Sequence, residues 1–304
     1  MVGSGTRQRV RLAALLVLVA ALAAAGCSGK KSTSTGGTAA AGNPLFQKLP
    51  ASIQKAKEIK VGSDIEYAPI EFFKEGTQQV QGLDWDLAQA LGAKLGVKMT
   101  FVNDTDFANI ITALRAGRFD IIMSAMNDNS ERRGKGVDFI DYFTAGTSII
   151  VKKGNPQGVH SYSDLCGKTI AVQSGTTQDQ TTIPEQDKKC TAAGKPKINT
   201  LRFEKDTDAL LQVKSGRAVA DLEDFPVAAY NAKTSGGGND FEVVGQQVDT
   251  GTYGIAVPRD NTQLRDALQA ALKAVVNDGT YDQILNKWGV GQGALKTATL
   301  NAGS

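Results

Sequence analysis

Short β-branched runs alternate with amphipathic stretches twice along this chain, and that alternation confines it to an α/β fold built on parallel strands. In the first series, residues 59–61, 98–102 and 119–123 read as strands. Between them, 84–95 and 106–116 place apolar side chains at helical spacing, with Asp84 as an N-cap and Gly117 as a stop. A second series opens after Gly154-Asn155-Pro156, with strands at 168–172, 201–203, 219–222 and 241–244 and helices at 206–215 and 224–234. A C-terminal return follows: a strand at 253–257, a helix over 261–277 and a last short helix to about residue 288. The stretches 145–152 and 248–254 are extended, contain Gly and Thr, and stand where the series change. They read as two linkers crossing between lobes.

The first 26 residues are not part of that fold. Arg7, Arg9 and Arg11 precede an Ala-, Leu- and Val-rich run, and small residues lead to Cys27. This order predicts a secretory lipoprotein signal over 1–26, with Cys27 lipidated as the mature N-terminus; plain cleavage with a leftover thiol is the alternative. Residues 27–44 predict a flexible tether. The domain reading is 45–147 with 251–295 as lobe 1, 148–250 as lobe 2, and 296–304 as a C-terminal tail.

Charge narrows the partners. The chain has 34 Lys and Arg against 31 Asp and Glu, and the three arginines of the leader account for the whole excess. With no basic stripe or run, nucleic-acid binding is not expected. Beyond Cys27 there are two cysteines, Cys166 and Cys190, and in an exported protein such a pair predicts a disulfide. A metal site is the rival reading, but the lone histidine, His160, stands apart in a loop and completes no ligand set. Walker loops, paired metalloprotease histidines and nucleophile elbows are absent from the sequence, so neither cofactor nor metal is expected.

In an open α/β sheet, ligands bind beyond the carboxyl ends of the strands. Four such ends carry unusual polar residues: Gly62-Ser63-Asp64-Ile65-Glu66-Tyr67; Ser124-Ala125-Met126-Asn127 with Arg132; Ser174-Gly175-Thr176-Thr177-Gln178; and Glu223-Asp224. The set suits a zwitterion. Asp64 and Asp224 would take an ammonium, Arg132 with Ser124, Asn127 and Thr177 a carboxylate, and Tyr67 and Phe107 would flank a side chain. Singly, Asp64, Asp224, Thr176 and Thr177 also read as caps. Arg132 reads as part of a solvated Glu131-Arg132-Arg133 face, and Phe107 as core.

At these residues the chain resembles the polar amino-acid solute-binding proteins of ABC importers, bacterial extracellular solute-binding protein family 3. The segments that carry the resemblance run in the family's order over residues 45–290. They are Gly62-Ser63-Asp64 with Tyr67-Ala68-Pro69, Gly82-Leu83-Asp84-Trp85-Asp86-Leu87-Ala88, Gly117-Arg118-Phe119-Asp120-Ile121-Ile122, Glu131-Arg132 with Val137-Asp138-Phe139, Gly175-Thr176-Thr177, and Asp278-Gly279-Thr280-Tyr281. The resemblance implies a two-lobed periplasmic-binding-protein fold with a hinge. It also implies a ligand site at Asp64, Tyr67, Phe107, Ser124, Ala125, Asn127, Arg132, Thr176, Thr177 and Asp224. The implied protein is a monomer on the extracytoplasmic face of a bacterial membrane that binds a basic or polar amino acid and delivers it to an ABC permease. Asn127-Asp128-Asn129-Ser130 departs from the Thr-Ile-Thr-Pro common in the family, which leaves the substrate open. Two rivals stand beside import: a sensor reporting to a membrane receptor, and a dehydratase-type enzyme with Glu66, Glu223 or Asp128 as its acid.

Overall fold

Successive residues of the central strands are buried and belong to opposite faces, so each strand needs cover on both sides. The computed structural model describes residues 43–304 and meets that need with one eight-stranded mixed sheet flanked by helices. The strands are β1 (Glu58–Ser63), β2 (Glu66–Tyr67), β3 (Glu71–Phe73), β4 (Val80–Gln81), β5 (Lys98–Asn103), β6 (Ile121–Ile122), β7 (Val137–Lys152), β8 (Thr169–Gln173), β9 (Asn199–Phe203), β10 (Ala220–Asp224) and β11 (Phe241–Pro258). The main sheet runs β5-β1-β6-β11-β7-β10-β8-β9, and β2, β3 and β4 form a small antiparallel sheet of their own. The helices are α1 (Ala51–Ala56), α2 (Leu83–Leu95), α3 (Ile110–Arg115), α4 (Ser130–Gly134), α5 (Ile183–Ala192), α6 (Asp206–Ser215), α7 (Phe225–Thr234), α8 (Thr262–Asn277) and α9 (Thr280–Trp288).

Period-two burial divides the core into layers. In the first half, Ile121, Ile140 and Ile255 face α2 and α8, while their neighbours Ile122, Phe139 and Ala256 face Ile110, Ile111 and Leu114 of α3. In the second half, Ile149, Ile170 and Leu222 face Ile183 and Cys190 of α5, while Ile150 and Ala171 face Ala209 and Val213 of α6. Helix α8 shows why its sequence is helical: Leu264, Ala267, Leu268, Ala271, Leu272 and Val275 make one buried stripe, and the Asn261 side chain caps the Leu264 N–H at 3.3 Å. Gly82 opens α2 at φ 132°, where a Cβ would stand 2.2 Å from the Ile70 carbonyl oxygen; only glycine fits.

The halves are joined by β7 and β11, which pair antiparallel along both. The stretches expected as linkers, 145–152 and 248–254, lie inside these two continuous strands. Their special character survives as register breaks between Val244 and Val248, between Val248 and Gly251, and between Tyr253 and Gly254. Two other expectations are revised. The segment 106–116 begins as a 3-10 turn, Phe107–Asn109, before α3. Only Ile121 and Ile122 of 119–123 pair in the sheet. Helix α5, which carries Cys190, has no counterpart in the sequence reading.

Cys166 and Cys190 form a disulfide with Cα atoms 5.5 Å apart, closing a sequence separation of 24 and tying α5 to the turn Tyr162–Leu165. A loop of that size stabilises by about 3 kcal/mol in the chain-entropy account. The last residues do not hang free. Ala298 is buried in the first-half core, and Leu300 bridges to Ile140 of β7.

Candidate functional site

Where the halves meet, the strand ends enclose a small cavity. All ten residues expected at a ligand site line it: Asp64, Tyr67, Phe107, Ser124, Ala125, Asn127, Arg132, Thr176, Thr177 and Asp224. Three more residues line it that were not among them: Glu71, Gln173 and Gln178.

From the first half, Asp64 follows β1. Its backbone N–H donates to Ser124 Oγ at 3.0 Å, and Ser124 in turn donates to Glu71 Oε1 at 3.0 Å. Ala125 holds φ 45° and donates its N–H to Asp84 Oδ2 at 3.1 Å. Asn129 caps α4 by accepting from the Arg132 N–H at 2.8 Å, which turns the Arg132 side chain inward. Arg132 is buried, not on a solvated face. Its guanidinium donates to the Asn127 carbonyl at 2.9 Å and to the Gly175 carbonyl of the other half at 3.1 Å, and lies 5.5 Å from the centre of the Phe107 ring. A guanidinium has five N–H donors, so these bonds leave capacity for an anion.

From the second half, Thr176 folds back on the Gln173 carbonyl at 2.8 Å, so it shapes the turn after β8. Thr177 Oγ1 reaches across to Asn127 Oδ1 at 2.7 Å. Asp224 ends β10 and accepts from Gln178 at 2.9 Å and from the Tyr67 hydroxyl at 3.3 Å, while its own N–H donates to that hydroxyl at 2.9 Å. Gln173 donates to Asp64 Oδ2 at 2.6 Å across the cleft. Glu66 clamps Lys205 at 2.6 Å and Thr207 at 3.0 Å near the same seam. The halves are shut on one another.

Enclosure acts on the charges. Burial raises the Asp64 carboxyl to about 8 despite the Gln173 hydrogen bond, and its Oδ1 has no hydrogen-bond partner. Burial raises Asp224 to about 6 against the nearby Tyr253 hydroxyl, the hydrogen bonds from Gln178 and Tyr67 and the Arg132 charge. Glu71 is pushed well up by burial and then by the charge of neighbouring Asp84. Burial lowers Arg132 to about 10. The three carboxyls weighed as enzymic acids lie elsewhere. Glu66 is paired as above, Asp128 is held by Arg133 at 2.5 Å, and Glu223 lies within β10, accepting from Asn231 at 3.0 Å and not lining the cavity.

The family model for bacterial extracellular solute-binding proteins, family 3, matches residues 59–291. The chain belongs to that family. It is similar to an arginine-binding protein of Corynebacterium glutamicum, 30% identical over 83% of this chain and 81% of that one. It is also similar to an arginine-binding extracellular protein of Bacillus subtilis, 32% identical over 78% of this chain and 88% of that one. A solved ancestral arginine-binding protein bound to arginine superposes with a TM-score of 0.68 at 36% identity, covering 76% of this chain and 98% of that one. As these relatives are, this family 3 member is a binding protein, not an enzyme. Among the described residues no helix is long and apolar enough to cross a membrane.

Two of the three unexpected lining residues carried a sequence signal. Gln173 is the first polar residue after the run Ile170-Ala171-Val172, and Gln178 closes the polar cluster that follows. Glu71 lies between Ile70 and Phe72, and only the small β2-β3-β4 sheet turns it inward.

The raised carboxyls predict how the empty protein responds to pH. Opening returns Asp64 and Asp224 to water and to their ordinary range near 4. Between that range and 8 the closed form holds more protons than the open form, so falling pH favours closure. Small-angle scattering of ligand-free protein should show the closed-to-open ratio rising roughly a hundredfold from pH 8 to pH 6, about fiftyfold from Asp64 and about twofold from Asp224; a radius of gyration that stays flat would contradict the assignment.

Proposed function

We propose that this protein captures a basic amino acid by closing its halves around it, and hands it to an ABC import permease. The observation that carries the substrate class is the imbalance of acidic over basic groups in the cavity. Arg132 is its one cationic lining residue, against Asp64, Asp224 and Glu71. Burial holds Asp64 and Glu71 protonated near neutral pH in the ligand-free closed cavity, so these acids become charged only when a cation enters beside them. A zwitterion brings one cation for three carboxyls. A cationic side chain brings a second and lets another of them ionise. The names of the arginine-binding relatives agree with this reading.

In this proposal Asp64 and Asp224 hold the α-ammonium from opposite halves. Arg132, with Ser124, Asn127 and Thr177, holds the α-carboxylate. Tyr67 and Phe107 flank the side chain, and Glu71 offers its carboxyl through the position set by Ser124. The lobes are 45–147 with 251–295 and 148–250, and the hinge lies at the register breaks of β11 and the facing part of β7. Each lobe alone presents half the site, so ligand shifts the open–closed equilibrium toward closed. Cys27 and the leader lie outside the described residues. Lipidation at Cys27, on the extracytoplasmic face of the membrane, would keep the protein near its permease.

Two experiments test this reading. Arg132→Ala and Asp224→Ala should each weaken amino-acid binding in calorimetry by roughly 2–5 kcal/mol, because each leaves one enclosed ligand charge unpaired. Arg132→Lys should weaken it too, since lysine keeps the charge and loses the fork. Both alanine variants binding within twofold of wild type would place the ligand elsewhere. For the anchor, Cys27→Ala should release the protein from the membrane fraction; an unchanged distribution would rule lipidation out.

A further inference from the structure

The family match ends at residue 291, yet residues beyond it reach the loop that carries two of the cavity residues. Residues 299–304 run back along the start of β7. The Asp141 N–H donates to the Thr299 carbonyl at 2.9 Å, and Thr299 Oγ1 and the Ala302 N–H donate to the Asp141 carboxyl at 3.0 and 3.1 Å. Asn301 and Phe139 exchange two bonds: the Phe139 N–H donates to Asn301 Oδ1 at 2.8 Å, and the Asn301 N–H donates to the Phe139 carbonyl at 3.1 Å. Asp141 is fully buried, so the segment supplies partners to a carboxyl that water does not reach.

The end of the segment then grips the site loop on both sides of Asn129. The Gly303 N–H donates to Asp128 Oδ2 at 2.7 Å, and the Ser130 N–H donates to the Ser304 carbonyl at 2.8 Å. Arg133 donates to the carbonyls of Gly303 and Ser304, each at 3.3 Å. Gly303 is pressed so close that a Cβ there would stand 2.1 Å from the Asp128 carbonyl oxygen. Asp128 follows Asn127, and Ser130 and Arg133 lie in the same short helix as Arg132. Helix α4 has five residues, too few to hold its own shape. Its position therefore depends on what is bonded to it.

We propose that residues 299–304 form a strap that positions Arg132 and so sets how tightly the ligand's carboxylate is held. The inference rests on the role proposed above for Arg132. The strap touches neither the cavity nor the ligand. Asp128 and Gly303 are positioning residues that act through α4.

The test compares the full chain, a chain ending at Ala298, and Gly303→Val, which keeps the strap but forces its tip away. In ligand-free protein, amides of residues 130–133 should exchange at least roughly tenfold faster in both variants, with β8 and β9 unchanged. Calorimetry with L-arginine should show roughly tenfold weaker binding in both. Combined with Arg132→Ala, the loss should fall short of the product of the separate losses, which a merely structural contribution would not do. Unchanged exchange at 130–133, or losses that multiply in full, would overturn the strap. If Arg132→Ala alone leaves L-arginine binding intact, the carboxylate reading fails instead. The exchange measurement then decides by itself whether the strap holds α4.

Discussion

Closing the cleft takes charged groups out of water before it gives them anything in return. Asp64 and Arg132 are each 4% exposed and Asp224 6%, and no pair of them is joined in a direct salt bridge. Neutral partners hold them instead: Gln173 on Asp64, Gln178 and Tyr67 on Asp224, and backbone carbonyls on Arg132. Such partners orient a charge without neutralising it. An enclosed charge is costly until an opposite charge meets it. The raised carboxyls and the lowered guanidinium express that cost within the molecule. In the proposed mechanism a ligand with matching charges removes it, so affinity and closure would be one process.

The backbone makes the process possible by uniting the halves through two strands only. β7 and β11 are long enough to belong to both cores, and β11 loses register where it passes between them. Interrupted ladder bonds make that zone easier to bend than the layers on either side. The four strand ends that carry the cavity residues all point toward the seam. In the proposed hinge a small rotation there would move Asp224 and Thr177 together against Asp64 and Asn127.

Much of this was legible in the sequence because strand ends and helix caps are local. Asp64, Ser124, Thr177 and Asp224 could each be placed at the end of an apolar run without knowing the partner strand. What escaped depends on distant packing. Arg132 sits in a charged run, Glu131-Arg132-Arg133, that reads equally as surface; its burial follows from the Asn129 cap and from carbonyls of two segments. Glu71 looks misplaced between apolar neighbours until Ser124 and Asp84 are brought beside it. Helix α5 is rich in Lys, Asp and Gln and shows little apolar stripe, because Ile183 and Cys190 supply its core contact with the disulfide behind them. The final residues read as a tail since Thr299-Leu300-Asn301-Ala302-Gly303 has no helical or strand period; their order comes from the carboxyls of Asp128, Asp138 and Asp141.

The central claim is that a cavity lined by three carboxyl groups and one guanidinium selects a cationic amino acid. It is tested most directly by titrating the protein with L-arginine and with L-citrulline, which keeps the shape and replaces the guanidinium by a neutral urea. Arginine should bind at least roughly tenfold tighter, the loss expected when a buried carboxylate gives up a charged partner. Equal or tighter binding of citrulline would contradict the account.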